Sequence, residues 1–342
     1  MLHVISDAIF AQHDPGNAHV EAPDRWAVVD RALRTAGELD FLLPRPATAE
    51  EIGRVHPDRH LAYLDQLCAE GGGTIDADTV ASRESCDVMR LAAGAAVQSV
   101  ELALEGEPAF ALGRPPGHHA LPDRAMGFCL LNNAAIAVRH AQSLGIRKVA
   151  VIDWDVHHGN GTEAIFSADP EVLYVSTHQE GLFPHTGSTE DVGIGSAAGT
   201  TVNIPLPPRT GDQGFKQVFD ELIGPIVEAF APELLVVSAG YDAHWRDPIG
   251  GLRLSAAGFA ELASRVTAWA RACSGGRLVL VLEGGYDLEA LAASVLATAE
   301  AIVGRPVVDP LGPAAGPERD IQERLARICE IQARWWPVAA RS

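Results

Sequence analysis

The sequence predicts an α/β fold built on a mainly parallel β-sheet covered on both faces. Three observations carry that prediction. First, short runs such as KVAVID (148–153) and LLVVSAG (234–240) are apolar nearly throughout, with no in–out alternation. Strands buried on both faces, as in parallel sheets, read this way. Second, these runs alternate with longer Ala- and Leu-rich amphipathic stretches, as βαβ units do. Third, polar clusters follow the runs directly: AFALG leads into RPPGHHA, and LVLVL into EGGYD. In open α/β sheets, ligands bind beyond the C-terminal ends of the strands.

Taken in order, LHVIS (2–6) is the first strand and 24–38 the first helix. A long helix at 84–105 precedes the strand AFALG (109–113). The helix 130–144 leads to KVAVID (148–153), and VLYVST (172–177) follows. The helix 213–230 leads to LLVVSAG (234–240), and 255–273 to LVLVLEG (278–284). A helix at 287–303 closes this series. The tail, 318–339, reads as an amphipathic helix with Ile321, Leu325, Ile328 and Gln332 on one face and Trp335-Trp336 after it. Docking on the main core is its expected role, with the whole chain, 1–342, forming one domain.

The 342 residues are 47% hydrophobic, enough for a large core. No run of about 18 apolar residues suggests a membrane span, and the N-terminus lacks signal-peptide character. The net charge of −19 argues against direct binding to nucleic acid or an anionic membrane. It favours solubility and a cationic small molecule or peptide. The five Cys (68, 86, 129, 273, 329) are scattered, without C-x-x-C. No disulfide framework or thiolate zinc site is expected, and a reducing cytoplasm fits best.

The stretch VIDWDVHHGNG (151–161) places Asp153, Asp155, His157 and His158 within six positions of a strand end. Asp155 and His157 are two apart, so in an extended segment both project to one side. With Asp242 from AGYDAHWRDP they form an Asp/His/Asp set, the donor pattern of a catalytic zinc with an open position. Zinc lowers the pKa of bound water towards roughly 7 and polarises carbonyls. His118 and His119 provide groups that titrate near neutrality. Asp153 and Asn160 suit the two imidazoles as orienting partners. Tyr286 could donate a hydrogen bond to a developing oxyanion. Alone, each feature has an ordinary structural explanation. Their joint placement at strand ends does not.

Together with AMGFCLLNN (125–133), FPHTG (183–187) and LEGGYD (282–287), these motifs resemble the zinc-dependent histone deacetylase superfamily, from HVEAPDR (19–25) to the Trp-Trp tail. Bacterial histone deacetylase-like amidohydrolases and acetylpolyamine amidohydrolases belong to it. The resemblance implies a three-layer α/β/α, arginase/deacetylase-like fold with an eight-stranded, mainly parallel sheet. It implies zinc at Asp155, His157 and Asp242. It implies His119 as general base and acid, His118 as its electrostatic partner, Asp153 behind His118 and Asn160 behind His119. Tyr286 would polarise the scissile carbonyl. Gly127, Phe128, Phe183, Ile249 and Gly284 would contact substrate, and Arg25 would line an inner cavity. A structural potassium is implied at Asp153, Asp155, His157, Ser176 and Thr177.

Asn160 stands where some relatives carry Asp, and His185 replaces a Gly. His244, Trp245 and Arg246 are bulky choices expected near the rim. Apolar Ile249 takes the place of a polyamine-selective Glu, which favours acetyl-lysine peptides over acetylpolyamines as the N-acylated amine. A dimanganese hydrolase of arginase type and a non-catalytic acyl-lysine-binding protein are the rival readings. The number of bound metal ions separates the first, and turnover the second. Assembly into a homo-oligomer stays open.

Overall fold

A computed structural model describes residues 1–16, 19–37 and 39–338. Position 38, at the end of the first predicted helix, and position 339, at the end of the tail helix, lie outside the described residues. The strands are β1 (Leu2–Ile5), β2 (Leu39–Leu42), β3 (Gly72–Thr74), β4 (Val80–Ser82), β5 (Ala109–Ala111), β6 (Val149–Asp153), β7 (Val172–Gln179), β8 (Thr201–Leu206), β9 (Leu234–Ala239) and β10 (Leu278–Leu282). The helices are α1 (Asp24–Thr35), α2 (Ala49–Gly53), α3 (Asp58–Ala69), α4 (Ser85–Leu104), α5 (Asn133–Ser143), α6 (Asn160–Phe166), α7 (Asp212–Val218), α8 (Gly224–Phe230), α9 (Ala256–Cys273), α10 (Leu288–Val303) and α11 (Gln322–Gln332).

The main sheet has eight strands in the order β2-β1-β5-β10-β9-β6-β7-β8. Every pairing in it is parallel. Six of the strands were expected from apolar runs, and they are the six interior ones. The two edges, β2 and β8, escape that reading. β2 is only half-buried, and Asn203 and Pro205 interrupt the apolar run of β8. An edge strand tolerates Pro because one side of its ladder is unused.

Successive residues of a strand point to opposite faces, and the core follows that rule. Val149 and Val151 pack with Ala-rich positions of α4 and α5 on one face. Ala150 and Ile152 pack with Phe215, Phe259, Val266 and Val295 on the other. This is the expected α/β/α layering. Leu325, Ile328 and Cys329 of α11 join the second face. The helix is shorter than the predicted tail, and its expected face, with Ile321 and Gln332, is buried.

The predicted helix 213–230 is broken by a π turn at 219–223. Pro225, in the first turn of α8, has no N–H to give the preceding turn. A smaller cluster packs α2, α3 and the antiparallel β3–β4 hairpin on α4. That region was not foreseen. Within it, Cys68 of α3 and Cys86 of α4 form a disulfide. The sequence argued against a disulfide framework. The two half-cystines are 18 residues apart, a spacing with no signature, and only the folding of α3 back along α4 juxtaposes them.

Candidate active site

The loops that follow β5, β10, β9, β6 and β7 arise from five adjacent strands. All five strands run parallel, so their C-terminal ends meet along one edge. β6 ends on Asp153, which sets Asp155 and His157 just beyond the sheet. The Asp155 carboxylate accepts the N–H of His157 at 2.9 Å and that of Gly284 at 2.9 Å. Asp242, beyond β9, accepts the N–H of Val156 at 2.7 Å. The Nδ1 of His157 lies 3.1 Å from Asp155 Oδ1 and 3.2 Å from Asp242 Oδ2.

One ligand atom from each of Asp155, His157 and Asp242 falls within 4.8 Å of the others. All three residues are buried. Among the described residues, no Arg or Lys hydrogen-bonds either carboxylate. Burial and then the charge of Asp155 push the Asp242 carboxyl up to about 7. Two buried carboxylates sharing one imidazole fit a divalent cation, which would relieve that repulsion. A second donor group, Glu51, Glu101 and His140, differs in this respect. Arg45 already bridges its two carboxylates at 2.7 and 2.9 Å.

The chain crowds the Asp/His/Asp group with glycine. A Cβ on Gly284 would stand 2.1 Å from Asp242 Oδ2, and one on Gly240 2.1 Å from Asp155 Oδ2. Gly284, expected at the substrate, therefore backs the carboxylates and does not line the cavity above them.

The rings of His118 and His119 lie with centroids 4.0 Å apart, tilted by 43°. His118 Nδ1 is 3.0 Å from Asp153 Oδ2, and His119 Nδ1 is 2.8 Å from Asn160 Oδ1. Both expected partners are thus in place. Burial alone would lower His118, but Asp155 and Asp153 outweigh it and hold this imidazole well above its usual range. Burial, then the neighbouring His118 and His157, hold His119 well below it. The two neighbouring imidazoles are thus pushed in opposite directions.

Over this floor sits a 270 Å³ cavity lined by His119, His157, Tyr286, Gly127, Phe128, Phe183 and Ile249, with Leu182 and Asp78. The Phe183 ring meets His119 edge-on at 5.1 Å, and the Phe128 ring meets Tyr286 at 5.8 Å. Burial raises the Tyr286 phenol well above its usual range, so it stays a hydrogen-bond donor. Arg25 lies behind it, 4.9 Å from the ring centroid, donating to the Gly285 and Glu283 carbonyls. Thr177 donates to the Asp153 carbonyl, and Ser176 Oγ is 2.9 Å from His178 Nδ1.

Several participants lay outside the sequence reading. Glu283 accepts the N–H groups of Gly117 (2.6 Å) and His118 (3.1 Å), fixing the tandem histidine from below. A carboxylate closing the apolar run LVLVL was the available signal. Tyr174 donates to Asp153 at 3.1 Å, but a lone Tyr in an apolar strand carries no signal. Asp78 and Leu182 reach the cavity from loops without a motif. The rim trio is placed differently than expected. His244 is buried and stacks on Trp245, Trp245 donates to Gly312, and Arg246 pairs with Asp287 and Glu289. None of the three lines the cavity.

Comparison with known proteins agrees with this geometry. Residues 19–302 match the histone deacetylase domain. The chain is 44% identical over 287 residues to a "Probable deacetylase" of Archaeoglobus fulgidus, across 82% of this chain and 80% of that one. It is 39% identical over 277 residues to a "Histone deacetylase-like amidohydrolase" of Pseudomonas aeruginosa, across 79% of this chain and 73% of that one. It superposes on the crystal structure of the HDA15 HD domain with a TM-score of 0.90 and 33% identity, covering 98% of this chain and 95% of that one.

Proposed function

We propose, from the premise that the chain belongs to the histone deacetylase family, that it is a zinc-dependent amidohydrolase that removes an acetyl group from an N-acylated amine. One observation carries the reading. The buried Asp155/His157/Asp242 donor set lies at the floor of one cavity that His119, Tyr286 and the Phe128 and Phe183 rings line.

Asp155, His157 and Asp242 would hold the zinc, which supplies an activated water and polarises the scissile carbonyl. His119 keeps Nδ1–H on Asn160 and presents the lone pair of Nε2 as base. The proton it gains at Nε2 is then given to the departing amine nitrogen. His118, paired with Asp153, places a fixed positive charge beside it. Tyr286 donates its O–H to the developing oxyanion. Phe128 and Phe183 flank the slender part of the substrate and exclude water. In this reading Asp153, Asp155, His157, Ser176 and Thr177 hold a structural potassium. The whole chain acts as one catalytic unit in the cytoplasm. The Cys68–Cys86 disulfide is at odds with a reducing compartment.

Acetyl-lysine peptides are the preferred substrate class, because Ile249 presents an apolar wall. Acetylpolyamines are the second reading, favoured by the Asp78 carboxylate in the lining, which would pair with a distal ammonium. The test is kcat/KM of the zinc-loaded protein on an acetyl-lysine peptide and on N-acetylputrescine, side by side. A peptide preference is expected. A polyamine preference would reverse the ranking, and turnover of neither would point to another small-molecule N-acyl amide.

A further inference from the structure

His157 belongs to the Asp/His/Asp donor group, and its neighbour His158 does not. His158 is 2% exposed, and its ring serves a different set of partners from that of His157. Its Nε2 is 3.1 Å from Glu163 Oε2, a carboxylate that also accepts Asn203 Nδ2 at 2.6 Å. A carboxylate only accepts, so the imidazole proton sits on Nε2. Nδ1 is then left to accept the Thr186 hydroxyl, at 2.7 Å.

The next residue is gripped as well. His178 donates from Nε2 to the Gly187 carbonyl at 3.0 Å, and its Nδ1 faces Ser176 Oγ at 2.9 Å. Gly187 has φ +83°, and a Cβ there would stand 2.6 Å from His178 Nε2 and 2.7 Å from the His158 ring. Two buried imidazoles thus clasp Thr186-Gly187, three residues beyond Phe183. No helix or strand covers 180–194, and these bonds tie its middle to buried side chains of the sheet edge. Phe183 in turn packs edge-on against His119 and over Gly127.

We propose that His158 is a positioning residue that sets the bore of the substrate cavity through the Glu163–His158–Thr186 chain. The tandem histidine divides its work: His157 faces the metal donors, and His158 registers the Phe183 wall against them. The proposal rests on the amidohydrolase reading. A wall that touches the substrate equally in ground and transition states acts on KM and leaves kcat alone.

Thr186 is exposed, so Thr186→Val removes the hydroxyl without a core defect. In the zinc-loaded protein, Thr186→Val is expected to raise KM for an acetyl-lysine peptide by about tenfold, as losing one hydrogen bond does. Its kcat should stay within about twofold, and Thr186→Ser should restore KM. In the metal-free protein, amide hydrogen exchange across 181–191 should quicken in Thr186→Val and return to the wild-type rate in Thr186→Ser. Unchanged exchange in Thr186→Val overturns the anchor. Faster exchange with unchanged KM, or a loss confined to kcat, overturns its role in setting the bore. A wild type that hydrolyses no N-acyl amine sinks the amidohydrolase reading alone, since exchange still decides the anchor.

Discussion

At the scale of single residues, the site is defined by close approach as much as by chemistry. Gly284 shows this most plainly. With a Cβ only 2.1 Å from Asp242 Oδ2, Gly284→Ala must push a carboxylate out of place. The expected outcome is loss of tight metal binding with the fold retained, read by metal content after dialysis and by far-UV circular dichroism. A stoichiometric ion in this variant would contradict the geometry. Tyr286 provides the complementary case. Tyr286→Phe keeps the ring beside Phe128 and removes only the donor, so kcat should fall about 10²-fold or more. A wild-type rate would remove the phenol from the reaction. Asp155, His157, Asp242, His118, His119, Asn160 and Tyr286 were legible because polar groups directly after apolar strands stand out. Glu283, Asp78 and Leu182 were not. Their positions depend on how loops fold back, which no local pattern encodes.

At the scale of elements, interior strands announce themselves and edges do not. A strand with two neighbours and two covered faces is mostly apolar, and six such runs were read correctly. β2, half-buried, and β8, with Asn203 and Pro205, face weaker demands. The α3 and β3–β4 region depends on contacts with α4 and a disulfide, and was missed for that reason. Helix ends leave clearer marks. Asn132, Ser255 and Asp287 each cap a helix with a side-chain oxygen. The end of α8 is less well served, since Ala231 stops it in the left-handed region at φ 52°. Ala231→Gly should therefore stabilise the protein by about 1 kcal/mol. Thermal unfolding would register a small rise in Tm, and a fall would contradict the strain.

At the scale of the whole molecule, buried neutral imidazoles tie stability to pH. His56 donates from Nδ1 to the Pro122 carbonyl at 2.9 Å and accepts the Asn132 N–H on Nε2 at 2.9 Å. Protonation would cancel the second bond. Burial lowers this imidazole from 6.5 to about 4. The unfolded chain thus binds more protons within that window, and stability rises with pH across it. The contribution is present above 6.5 and is lost as pH falls from 6.5 through about 4. Urea unfolding of His56→Gln should show a flatter pH dependence over this range than wild type. Parallel curves would contradict the assignment.

All these scales meet in the metal. The most direct measurement strips the protein with a chelator and titrates zinc back while following amine release from an acetyl-lysine peptide. No hydrolysis is expected without metal, followed by a linear rise that saturates at one equivalent per chain. Full activity in the stripped protein, or a break at two equivalents, would contradict this.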